Sequence, residues 1–83
     1  MKVFYADGAA KQLENLSRSD QRRIVVKMRF YAFQTDPLKF AKCLSDEREG
    51  RFRFRIGDHR VVFDVKNDTI YVLKIGKRES VYN

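Results

Sequence analysis

The residues best equipped for chemistry in this chain lie between Gly50 and Phe63, in the stretch GRFRFRIGDHRVVF. Arg51, Arg53 and Arg55 alternate with Phe52, Phe54 and Ile56. Successive side chains of an extended strand point to opposite faces, so the alternation predicts three guanidinium groups on one face and three apolar groups on the other. Gly57-Asp58 suits a two-residue type II′ hairpin turn, with glycine at the first turn position. Such a turn sets Ile56 opposite His59, Arg55 opposite Arg60, Phe54 opposite Val61, Arg53 opposite Val62 and Phe52 opposite Phe63. One face is then a core surface of Phe52, Phe54, Ile56, Val61 and Phe63, and the other carries Arg51, Arg53, Arg55 and Arg60. Like charges opposed across two strands destabilise a sheet, so the Arg55–Arg60 pair makes sense with an anion between them. The plainer reading is a solvated basic face on an ordinary hairpin.

Other cations follow in the chain, Lys74, Lys77 and Arg78, with the phenol of Tyr82 just beyond. Phosphoryl transfer in RNA can proceed from such parts. The neighbouring 2′-hydroxyl supplies the nucleophile, leaving the protein to orient the strand, neutralise charge on phosphorus and handle two protons. Guanidinium groups suit the neutralisation, being planar, permanently charged and bidentate toward phosphate. Each preorganised charged donor would contribute about 3–4 kcal/mol, on the scale of an oxyanion-hole donor. The same residues equally describe a phosphate-binding surface with no catalysis, and composition and spacing leave both open. There is no glycine-rich phosphate loop, nucleophile elbow or HExxH motif. One His and one Cys do not assemble a metal site, so neither metal nor cofactor is expected. His59, beside the turn, reads as a turn residue with a satisfied ring.

The elements that must position these groups are few. The chain has 83 residues, enough for one domain spanning 1–83, with 43% apolar content and seven Phe to build a core. Cys43 is the lone cysteine, which suits a reducing cytoplasm and a small buried apolar role. No apolar run reaches the length of about 18 residues that a membrane span needs, and MKVFYADG lacks the apolar length of a signal peptide. A cytoplasmic protein with no membrane partner is expected. The net charge of +7 on so small a body points to a polyanionic partner: nucleic acid, an acidic protein segment, or both.

Lys2 to Ala6 reads as a first strand. Asp7 is placed to cap a helix from Gly8 to Leu16, with Ala9, Leu13 and Leu16 along one side. Ser19 or Asp20 is placed to cap a second helix running to Gln34. That helix has two apolar stripes, Ile24-Met28-Tyr31 and Val26-Phe30-Phe33, which predict contact on two sides: the sheet on one, the first helix or a partner on the other. Its polar edge is basic, through Arg18, Arg22, Arg23, Lys27 and Arg29. Asp36-Pro37 ends it. Leu38, Phe40, Cys43 and Leu44 are expected to tuck against the core, and Ser45 to Glu49 to form a mostly acidic loop. After the arginine hairpin, Asn67-Asp68 marks a second turn before a last strand, Ile70 to Gly76. A two-residue turn would put Ile70, Val72 and Lys74 on the core face. A three-residue turn would put Tyr71, Leu73 and Ile75 there and Lys74 with the arginines. The second is preferred because it keeps Lys74 out of the core. The expected architecture is α+β: an N-terminal strand and a helical hairpin packed on an antiparallel sheet.

The order strand, helical hairpin, Gly50–Arg60 block and the terminal Ile75-Gly76-Lys77-Arg78 with Val81-Tyr82 resembles the RelE/ParE superfamily of type II toxins, over essentially the whole chain. The resemblance to RelE-type members implies a RelE-like fold and translation inhibition by metal-free, ribosome-dependent cleavage of mRNA through 2′-hydroxyl attack. It implies as partners a cognate antitoxin, the ribosome and mRNA, and a toxin–antitoxin complex able to bind operator DNA through the antitoxin. By position, Arg53 and Arg55 match the basic pair on the first hairpin strand and Arg60 the arginine after the turn. Arg78 and Tyr82 match the arginine and tyrosine of the terminal motif. The implied roles are phosphate orientation and charge stabilisation for the four arginines and stacking or proton transfer for Tyr82, with Arg51, Lys74 and Lys77 as further RNA-phosphate contacts. Two departures stand out. The RelE pair is typically lysine, and arginine stabilises charge but cannot be tuned to exchange a proton. Tyr82 also lacks the helix that follows its counterpart, so its placement is expected to depend on substrate or ribosome. A ParE-like gyrase inhibitor and an inactive binding module are the alternatives.

Overall fold

The computed structural model describes residues 1–44 and 50–77. Its strands are Lys2–Tyr5 (β1), Lys42–Cys43 (β2), Phe52–Ile56 (β3), His59–Lys66 (β4) and Thr69–Lys77 (β5). Its helices are Asp7–Glu14 (α1) and Arg18–Phe33 (α2), followed by a 3-10 turn at Pro37–Phe40. The strands form one sheet in the order β1-β5-β4-β3-β2. Every pairing is antiparallel except β1 with β5, which is parallel. This is the expected α+β fold, with the parallel first strand as an addition.

The arginine hairpin has the register its alternation demands, from Phe52 opposite Phe63 to Ile56 opposite His59. Gly57 provides the left-handed first turn position with φ +59°. Phe54, Ile56, Val61 and Phe63 then join Ile70, Val72 and Ile75 as the sheet's buried face, under Ile24, Met28 and Tyr31 of α2 and Ala9 of α1. Stacked rings run through this core: Tyr31 lies 4.2 Å from Phe54, and Phe54 lies 4.3 Å from Phe63. Phe52 and Leu13 pack against it partly buried.

The last strand corrects the preferred register. Asn67 and Asp68 both have positive φ, 50° and 60°, the signature of a two-residue type I′ turn. Ile70 and Val72 therefore take the core face, and Tyr71 falls on the other. Between Val62 and Phe63 the pairing shifts, Val62 facing Lys74 and Phe63 facing Val72, so Leu73 is the extra residue of a β-bulge. The bulge reverses the alternation. Ile75 is returned to the core and Lys74 to the arginine face, as expected, but for a different reason. Past the bulge Ile75 stands opposite Val61 with its N–H turned away from β4, toward the side where β1 has already ended, and there it donates to Gln12 Oε1 of α1 at 2.7 Å.

Smaller corrections concern caps and edges. Ser17, not Ser19 or Asp20, caps α2, its hydroxyl accepting the Asp20 N–H at 3.1 Å. Asp7 opens α1 as its first residue behind Ala6, which lends no side-chain cap. Cys43 is exposed on the two-residue edge strand and Phe40 is exposed on the 3-10 turn, so neither is core. The expected loop at 45–49 lies outside the described residues. Gly50, with φ +137°, sits so close that a Cβ would come within 2.6 Å of Val62 Cγ1.

Phe54→Ala removes the ring at the middle of the stack and is expected to cost about 3–5 kcal/mol, a large share of the stability of so small a domain. Urea unfolding followed by circular dichroism measures it. A midpoint shift worth under about 1 kcal/mol would show that the stack is not the centre of the core.

Candidate functional site

The sheet face away from the helices reads as rows across the strands. At the turn end, Arg55 stands opposite Arg60, which stands opposite Gly76. The next row is Lys42, Arg53, Val62 and Lys74. Two residues further along β4, Asp64 stands opposite Tyr71, and Tyr71 lies beside Phe4 of β1. Arg51, just ahead of β3, reaches that row: its backbone N–H donates to Asp64 Oδ1 at 2.7 Å, and its Nε lies 3.7 Å from the same oxygen. Asp64 is the only carboxylate among the described strand residues of this face. Arg51, Arg53, Arg55, Arg60 and Lys74 are thus brought together.

Arg60 is the unusual member. It is 7% exposed, and its Nε has no hydrogen-bond partner among the described residues. A buried N–H without an acceptor costs free energy, and arginine cannot escape by losing its proton. A phosphate-like anion between Arg60 and the exposed Arg55 opposite would accept from both guanidinium groups and offset their repulsion.

Not every sequence candidate reaches this face. Lys77 alternates to the other side, opposite His59. His59 is buried there, and its Nε2 is without a partner among the described residues, so its ring is not the satisfied turn residue expected. Arg78 and Tyr82 lie outside the described residues. Lys42, Asp64, Phe4 and Tyr71 were missed. A type I′ reading of Asn67-Asp68 would have found Tyr71, whereas Lys42 depends on a pairing with no local signal. Tyr5 and Tyr31, on the core side, have phenols raised above their ordinary pKa by burial, with Arg29 pulling Tyr5 partly back. Both are neutral at physiological pH.

A second surface lies on the outer side of α2. Ile24, Met28 and Tyr31 are buried as expected, but the other stripe is open: Val26 is 58% exposed, Phe30 48% and Phe33 92%. Phe40 adds a ring 6.2 Å from Phe30. Arg18, Arg22, Arg23 and Lys27 line a groove of about 620 Å³ beside Val26, and Lys27 Nζ stands 5.1 Å over the Phe30 ring.

Residues 3–82 match the family model of the ParE toxin of the type II toxin–antitoxin system parDE. The chain belongs to the RelE/ParE toxin family. Among solved structures, the toxin–antitoxin complex RelBE2 from Mycobacterium tuberculosis contains a similar chain, 25% identical with a TM-score of 0.75, over 93% of this chain and 90% of that one. The fold is also that of the conserved hypothetical protein HP0894 from Helicobacter pylori, 19% identical with a TM-score of 0.66, over 95% and 96% of the two chains. No curated protein matches. No helix among the described residues is long and apolar enough to cross a membrane.

Arg60→Met keeps most of the apolar stem and removes the buried charge. It is expected to melt at or above the parent temperature, as apolar replacement of buried charges often does. Arg60→Ala also loses stem packing and should melt lower than the Met variant. Differential scanning fluorimetry compares them, and a Met variant that melts well below the parent would show that the guanidinium is satisfied in the fold.

Proposed function

We propose that this toxin is a ribosome-dependent endoribonuclease that cleaves mRNA by attack of a 2′-hydroxyl on the adjacent phosphodiester. The observation that carries the reading is Arg60, buried, with an Nε that has no partner among the described residues, and opposed by Arg55 at the turn end of a cationic sheet face. In this mechanism Arg55 and Arg60 grip the non-bridging oxygens of the scissile phosphate and stabilise the charge that builds on them. Arg53 and Lys74, in the next row, orient the strand, with Arg51 beyond them. Arg78 adds a further cation and Tyr82 a stacking or proton-transfer group. Permanent cations leave proton transfer to Tyr82, to the substrate's surroundings on the ribosome, or to water.

The antitoxin is proposed to seat an acidic amphipathic helix on α2. Val26, Phe30 and Phe33 follow an i, i+4, i+7 spacing that fits a helical partner, and the cations beside them repel a second copy of this basic chain. A gyrase-directed activity is the second reading, favoured by the match to a family model named for ParE.

Arg55→Ala is expected to lower single-turnover cleavage on programmed ribosomes by about a hundredfold or more, with ribosome affinity little changed. Intact mRNA with wild-type protein, together with gyrase-linked DNA breaks, would instead establish the second reading. Phe33→Asp should weaken antitoxin binding by at least tenfold in calorimetry, and wild-type binding should weaken as salt rises. Unchanged affinity in both measurements would remove α2 as the docking surface.

A further inference from the structure

Phe4 and Tyr71 are the two aromatic side chains of the arginine face among the described strand residues, and no step above uses them. They neighbour each other on β1 and β5, with ring centroids 5.6 Å apart and planes at 60°. Phe4 is 53% exposed. The apolar demand at this end of the sheet is met from the other side, where Ile70 and Val72 are buried and Val3 and Tyr5 pack against the core. Beside Tyr71 lies an open cavity of about 370 Å³ lined also by Asp64, Lys66 and Leu73.

We propose that Tyr71 and Phe4 form a stacking platform for a base of the substrate strand, flanking the phosphate gripped by the arginines. The proposal rests on the RNA-cleaving reading and gives the rest of that face its task. Asp64, in the same row, disfavours a phosphate here, whereas a base carries no charge and offers amino donors to a carboxylate. Arg51 holds Asp64 in place and offsets its charge. Lys66 and Arg51 flank the cavity row with cations for the strand's own phosphates. Asp64 lies four residues from Arg60 along β4, about 13 Å at the rise of an extended strand, so one single strand can engage both. Exposed aromatics interleaved with cations on a sheet are the usual platform for unpaired RNA.

The test is a cycle between protein and RNA on programmed ribosomes. Tyr71→Ala is expected to lower cleavage about tenfold or more, and Tyr71→Phe to keep it. Tyr71→Leu, which preserves apolar cover without a π-face, should lose as much as the Ala variant and guards against a folding effect. An abasic nucleotide is then scanned through the positions on both sides of the cut. At one position it should cost wild type what Tyr71→Ala costs, and cost the Ala variant nothing more, the mark of two groups acting through one contact. Additive losses at every position, or a Leu variant that cleaves as wild type does, overturn the platform and leave the RNA-cleaving reading standing. Weakened antitoxin binding with unchanged cleavage assigns the rings to a protein segment and also overturns it. A wild type that cuts no mRNA overturns the reading and the platform together.

Discussion

Both faces of the sheet depend on one register shift in β5, where Val72 faces Phe63, Lys74 faces Val62 and Leu73 is the extra residue between them. β5 must bury Ile70, Val72 and Ile75 on one side while presenting Lys74 on the other, and strict alternation cannot do this. Leu73 resolves the conflict, and beyond it the Ile75 N–H points to the side of β5 where β1 has already ended. A buried amide without an acceptor costs free energy on the scale of a lost hydrogen bond. The Gln12 carboxamide meets that demand from α1, tying the helix layer to β5 just past the bulge. The core and the cationic face are therefore set by the same local event.

The cationic face runs against folding. Arg55 and Arg60 oppose each other, Lys42 stands beside Arg53, and Lys74 completes the row across Val62. Like-charge neighbours of this kind weaken a sheet, and a buried guanidinium adds a desolvation cost. The aromatic stack of Tyr31, Phe54 and Phe63 on the opposite face supplies the burial that carries this strain. α2 repeats the pattern, with Ile24 and Met28 buried while Val26, Phe30 and Phe33 remain open beside a row of cations. On both surfaces the isolated chain keeps features that a partner would relieve.

The sequence was most legible where short-range periodicity and turn chemistry agreed. Arg-Phe alternation and Gly57-Asp58 determined every pair of β3 with β4, and the split of α2 into two stripes was visible in its spacing. Asn67-Asp68 carried the correct turn, yet keeping Lys74 out of the core favoured the wrong one, because a bulge satisfies both demands and leaves no mark in a period-two pattern. The parallel pairing of β1 with β5 and the place of Lys42 beside Arg53 depend on contacts distant in sequence. Tyr71 was assigned to the core for the same reason that Leu73 was, so the aromatic end of the cationic face was hidden by a single register choice. Cys43 and Phe40 looked like core residues by type, but a two-residue edge strand and a short 3-10 turn have too little cover to bury them.

The parallel pair also has a meaning in time. β1 hydrogen-bonds along β5, Lys2 standing beside Thr69 and Tyr5 beside Val72, so β1 leaves the ribosome well before the strand it pairs with. Contacts this distant close slowly, because the loop entropy is lost before the pairing returns anything. Until β5 emerges, β4 lacks one of its two neighbours, Lys74 is absent from the cationic face, and β1 has no place in the sheet. The α2 surface, by contrast, is synthesised before any of the arginine hairpin. A nascent chain therefore displays the open apolar stripe of α2 well before it can assemble the cationic face.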